Sequence, residues 1–209
     1  MVSCDEKTGI QALERLHPTL PTRPGLVEKR EFEYVRHGTL CLIANFFVAT
    51  GEVRESTISS TRSEKDLVGH IRKTVASDPE AKWIFVMDQL DTHMSASLVE
   101  FVVEQCFDDF DAEKLGVKGS HGILKSKKTR REFLQDPTHR IRIVYTPRHT
   151  SWMNQVEIWF SILARRVIKR GNFKSLDELR ARLLAFIEYF NVTLAKPFRW
   201  TYTGRPLVA

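Results

Sequence analysis

The chain has 209 residues, 32 Lys and Arg against 26 Asp and Glu, and a 42% hydrophobic fraction. That is room for one domain with a proper core, in the composition of an ordinary globular protein. No apolar run approaches ~18 residues, which excludes a membrane span, and the start MVSCDEKT lacks the basic stretch and apolar core of a signal peptide. The expected location is therefore the cytoplasm, with no membrane partner. Cys4, Cys41 and Cys106 are odd in number, fall in apolar surroundings and read as reduced core thiols without zinc-type pairing.

Charge is unevenly distributed. Residues 1–117 hold 13 basic and 20 acidic residues (net −7), residues 118–170 hold 13 and 3 (net +10), and residues 171–209 hold 6 and 3 (net +3). A basic stripe of that density points to a polyanion, most commonly nucleic acid, against the plainer reading of a solvated loop.

In chain order, Val2-Ser3-Cys4 is a short apolar run reaching Asp5 and Glu6, and reads as the last turn of a strand stub. Leu13 to Gly25, with three prolines, reads as a loop. Leu40 to Val48 and Val53 to Ile58 read as two antiparallel strands joined at Thr50-Gly51-Glu52. Ser63 with Asp66 starts a helix that buries Leu67, Val68, Ile71 and Val75. Trp83 to Met87 is apolar throughout and predicts a central strand covered on both faces, with Asp88 at its C-terminal end, where chemistry in α/β sheets gathers.

A helix over about Ser95 to Phe107 follows, and Asp108 to Asp136 then read as an insertion that contains KSKKTRR. Arg140 to Thr146 predict a strand that stops at Pro147. A helix from near Asn154 places Val156, Trp159, Phe160, Leu163 and Val167 on one buried stripe. Ser175 and Glu178 form a capping box for a last helix. The order strand, strand, strand, helix, strand, helix, insert, strand, helix, helix predicts an α/β mixed sheet flanked by helices.

Were the stub ending at Asp5 to lie beside the strand ending at Asp88, their carboxylates would meet at one sheet edge. Glu157, in the first turn of the helix packed there, would complete a three-acid cluster. Three like charges converge only around a cation, and hard oxygen donors suit Mg²⁺ or Mn²⁺. Each acid also has a plainer reading. Asp5 and Glu6 are then solvated residues at a terminus, Asp88 a strand-end cap, and Glu157 half of an Asn154-x-x-Glu157 capping pair. His93 and His149 lack the spacing of a zinc site, and Trp152 and Trp159 read as core or loop anchors.

VMDQLDTH at 86–93, YTPRHTSWMNQVEIWFSIL at 145–163, RGNFKSLDEL at 170–179 and AKPFRWTYTGRPL at 195–207 resemble the DDE transposases of the mariner superfamily, in its bacterial insertion-sequence branch. CDEKTGIQALER, RPG at 23–25 and EYVRHGTL at 33–40 are similar to the same branch's first motif. The resemblance implies a ribonuclease-H-like catalytic domain spanning 1–209. It further implies Mg²⁺-dependent cutting of transposon ends, their joining to target DNA, and a homodimer that handles two ends in the cell's nucleoid.

Carried over motif by motif, the implied triad is Asp5, Asp88 and Glu157, with Asp91 as the competitor of Asp88. Lys125, Lys127, Lys128, Arg130 and Arg131 are expected on DNA phosphates and Arg148 on DNA as well, with His149 and Asn154 positioning the catalytic helix and the scissile phosphate. Three features depart from the family. A helix-turn-helix region is not expected ahead of these motifs, the first strand reads as a stub, and the second and third acids are 69 positions apart. The rival reading is a truncated, non-catalytic DNA-binding remnant, and a third is a ribonuclease acting on RNA–DNA hybrids.

Overall fold

A computed structural model describes residues 1–201; residues 202–207 of the AKPFRWTYTGRPL stretch lie outside them. Strands β1 (Val2–Arg15), β2 (Tyr34–Phe47), β3 (Glu52–Ser59), β4 (Trp83–Met87) and β5 (Ile141–Tyr145) form one sheet in the order β3-β2-β1-β4-β5. β1–β2 and β2–β3 are antiparallel, whereas β1–β4 and β4–β5 are parallel. The result is the mixed α/β sheet of a ribonuclease-H-like fold.

Helices α1 (Glu64–Ala76) and α2 (Ala96–Cys106) cover one face. Leu67, Ile71, Val75, Leu98, Val99 and Val102 pack there against Val2, Cys4, Phe85, Met87, Ile141 and Ile143. Helices α5 (Gln155–Leu163), extended by a π turn over Ala164–Ile168, and α6 (Leu176–Thr193) cover the other. Val156, Trp159, Phe160, Leu163, Leu179 and Leu183 pack there on Ile10, Leu42, Ala44 and Phe46. The short α3 (Ala112–Leu115) and α4 (Lys127–Leu134) lie in the 108–136 segment, which is anchored in the first core by Leu124 and Leu134. No helix among the described residues is long and apolar enough to cross a membrane.

Two strands differ from the sequence reading. β1 runs for 14 residues and does not stop at Asp5. Its alternation is broken at Gly9, which has φ +67° in a register shift between Lys7 and Ile10, so the pattern that marks a strand is interrupted. Asp5 is consequently held mid-strand, opposite Ala44. β4 is internal, but only Trp83, Phe85 and Met87 are buried; Ile84 and Val86 are half-exposed because α5 and α6 sit over β1 to β3.

Ser63 and Asp66 form the expected capping box. At α6, Ser175 Oγ accepts from the Glu178 N–H (3.1 Å), while the Glu178 carboxylate accepts from the Lys174 N–H (2.7 Å).

His70 on α1 is buried, with Nδ1 3.0 Å from Thr57 Oγ1 and Nε2 unpartnered among the described residues. Burial, and secondarily the Lys73 charge, push its pKa down to about 3. The unfolded chain binds this proton near pH 6.5, so the neutral ring's contribution is complete above that pH and lost as pH falls toward 3. In urea melts, the stability advantage of wild type over His70→Gln is expected to shrink below pH 6.5, at up to about 1.4 kcal/mol per unit; parallel pH curves would refute this.

Candidate active site

Residues Val2 and Ser3 pair in parallel with Phe85 and Val86. Asp5 and Asp88 each lie two positions further along, so the register sets them side by side where β4 ends. Strand alternation turns Ser3, Asp5 and Lys7 toward α5, and Cys4 and Glu6 toward α2.

Asp5 is 4% exposed. Its Oδ1 accepts from the Glu6 N–H (2.8 Å) and its Oδ2 from Asn154 Nδ2 (3.2 Å). Burial, then the Asp88 charge and more weakly that of Glu157, push its carboxyl up to about 7, against the opposing His93 charge and the Glu6 N–H. Asp88 is half-buried. Burial raises its pKa, but hydrogen bonds from His93 and from the Leu90 N–H (2.9 Å) outweigh it and the net shift is downward. Asp91 does not join this group: it is exposed and paired with Lys127 Nζ at 2.6 Å. The structure therefore brings Asp88, and not Asp91, to Asp5.

Glu157 lies in the first turn of α5, its carboxyl raised by burial and by the Asp88 charge, with Lys7 opposing. Lys7 Nζ also sits 5.9 Å from the centre of the Phe160 ring. Asn154 does not cap the helix with its side chain. It is fully buried and spends its amide on β1, with Nδ2 donating to the Cys4 carbonyl (3.0 Å) and Oδ1 accepting from Ser3 Oγ. Ser3 Oγ in turn accepts from the Val156 N–H (2.8 Å). The cap is thus supplied in trans by the strand that carries Asp5, and one small network fixes Asp5 and the helix start that bears Glu157.

His93 has no second ligand at helical spacing; its partners are Asp88, five residues before it, and Glu6, 87 residues away. It is buried in the turn Asp91–Met94, with Nδ1 2.8 Å from Asp88 Oδ1 and Nε2 3.2 Å from Glu6 Oε2. Burial alone would lower its pKa, yet these two acids, with Asp5, raise it to about 10. Tyr145 Oη donates to the His93 carbonyl (2.6 Å) and Arg130 Nε to that of Met94 (2.7 Å), so β5 and α4 both hold the turn.

Ligand atoms of Asp5, Asp88 and His93 lie within 4.8 Å of one another, the spacing of a metal site. Held between Asp88 and Glu6, which raise its pKa, His93 is placed to donate to both carboxylates. The donor set that remains is carboxylate oxygen, with Glu6 Oε1 buried and unpartnered among the described residues. Such a set fits a hard divalent cation.

Beside Asp88 an open cleft of about 840 Å³ is lined by Gln89, Asp91, Lys127, Lys128, Arg131, Arg148 and His149. Of the cations expected on DNA, Lys127 and Lys128 are exposed on α4, Lys125 is exposed just before it, and Arg131 leans 5.4 Å from the Tyr145 ring centre. Arg130 and Asn154 are buried, and both Arg130 bonds go to main-chain carbonyls, of Met94 and Leu124, so neither residue reaches the cleft surface. Trp159 is buried in the core, and Trp152 is half-exposed in a turn ahead of α5.

A β3-β2-β1-β4-β5 mixed sheet with acids converging where its first and fourth strands separate is the ribonuclease-H-like arrangement. The model of the DDE superfamily endonucleases matches residues 1–180. The chain belongs to that family, and its domain is DDE-transposase-like. No curated protein sequence matches the chain.

Proposed function

We propose that the chain is the catalytic domain of a mariner-type transposase, a divalent-metal-dependent DNA endonuclease and strand transferase that works as a homodimer on two DNA ends. The observation that carries this is the parallel β1–β4 register, which sets Asp5 against Asp88 within electrostatic reach of Glu157. Asp5, Asp88 and Glu157 would hold Mg²⁺ or Mn²⁺. When bound, such ions activate a water or 3′-hydroxyl and stabilise the leaving oxygen of a phosphodiester.

The protein's own groups do the rest. His93 keeps Nδ1–H on Asp88 and Nε2–H on Glu6, fixing the orientation of the Asp88 carboxylate and offsetting local negative charge. Asn154 and Ser3 hold Asp5 and the start of α5. Lys125, Lys127, Lys128, Arg131, Arg148 and His149 would take the backbone of the bound strand, giving sequence-independent affinity. Arg130 supports this surface from beneath.

The test is nicking of supercoiled DNA, and of DNA carrying candidate element ends, with and without Mg²⁺. Nicking only with the metal is expected. Binding without nicking under every metal condition would favour the non-catalytic remnant, and cleavage confined to RNA–DNA hybrids would move the substrate.

A further inference from the structure

At the end of α5 opposite to Glu157, Arg165 and Arg166 lie in the π turn that extends the helix, and Arg170 follows just after it. With Arg182 of α6 they line a groove of about 720 Å³ whose wall includes Phe186 and Tyr189. An adjoining hollow shares Arg170 and Arg182 and adds Asn172 and Glu178. All four arginines are exposed. None forms a hydrogen bond or ion pair with a described residue, in contrast to Arg54 with Glu52, Arg72 with Glu104 and Lys127 with Asp91. The one carboxylate of the hollow, Glu178, is engaged by the Lys174 N–H.

Four exposed guanidiniums in one concave strip, with no carboxylate partner among the described residues, build a positive potential that attracts a polyanion. Planar guanidinium forks match phosphate oxygens bidentately. π turns, moreover, concentrate at functional sites. From Glu157, the rise along the helix puts Arg165 about 12 Å away and Arg170 roughly 20 Å away, so one duplex could not meet this strip through the same phosphates as the cleft by Asp88.

We propose that the Arg165–Arg166–Arg170–Arg182 groove is a second nucleic-acid site that grips the backbone of duplex DNA away from the point of cutting. It rests on the DNA reading above, and supplies an anchor that does not depend on the acids or on α4. Arg170 and Arg182 bridge the groove and the hollow, which gives the strip the length to follow several successive phosphates.

The test is duplex binding by the full chain in EDTA, so that no cleavage intervenes, measured as a function of salt. With Arg165, Arg166, Arg170 and Arg182 all changed to Gln, the slope of log Kobs against log salt should become shallower by about 3 to 4, near 0.9 per lost phosphate contact. Circular dichroism melts should be unchanged, since all four side chains are exposed. If the quadruple variant melts early, the Arg165→Gln, Arg166→Gln pair should still lose about 2.

A slope equal to wild type overturns the proposal. So does an unchanged DNA slope together with lost binding to poly-glutamate, which would assign the groove to an acidic protein. Failure of the DNA reading itself looks different, because wild type would then not bind duplex at all.

Discussion

Replacing Glu157 with Gln abolishes metal-dependent nicking, a loss of at least about a thousandfold or roughly 4 kcal/mol of transition-state stabilisation. Gln keeps the size and the helical position but cannot supply a charged oxygen to a cation. The Glu157 side chain makes no hydrogen bond with another described residue, and burial pushes its carboxyl up against the opposing Lys7 charge. Removing that charge relieves its burial cost, which the Lys7 attraction only partly offsets, and the metal-free variant should melt no lower than wild type. Plasmid nicking paired with a thermal melt checks both halves. Activity that survived the change would remove Glu157 from the site.

The second large effect is on stability. Asn154→Asp places a new carboxylate, fully buried, beside Asp5 Oδ2 and strips the Cys4 carbonyl of its donor. An uncompensated buried charge costs about 3–5 kcal/mol, enough to threaten a domain of ordinary stability. Asn154→Ala should cost less, about 1–3 kcal/mol, because it leaves unpartnered groups but adds no charge. Denaturant melts of the two variants at neutral pH should rank Asp below Ala below wild type. Equal stabilities would mean that the Ser3–Asn154 network does not hold β1 to α5.

How much of this was legible from the sequence depended on whether the deciding contact was local. WIFVM ending at Asp88, the Ser63 cap and the stripe from Val156 to Val167 are local patterns, and each appears where its periodicity placed it. The bulge at Gly9 breaks the two-residue alternation of β1, so the local pattern ends as a stub at Asp5 although the strand runs on. Asn154-x-x-Glu157 satisfies the local capping rule, yet the acceptor that serves Val156 is 153 positions away on Ser3, where no local pattern reaches.

For His93 only half of the contact is local: Asp88 is five residues before it, whereas Glu6 is 87 residues distant and is brought in by the sheet. In α4 the charge of KSKKTRR marked a basic face but not which arginine it exposed. There the helical period held the answer: Arg130 is four residues before the buried Leu134 and shares its inner face, whereas Arg131 turns toward the cleft.

The claim at the centre is that Asp5 and Asp88, completed by Glu157, form a divalent-cation site. Mn²⁺ binding followed by electron paramagnetic resonance, on wild type, Asp88→Asn and Asp91→Asn side by side, addresses it without requiring a DNA substrate. Wild type and Asp91→Asn should bind the ion alike, and Asp88→Asn should bind at least about tenfold more weakly, a difference of ~1.4 kcal/mol. Unaltered binding by Asp88→Asn, or its loss in Asp91→Asn, would contradict the site.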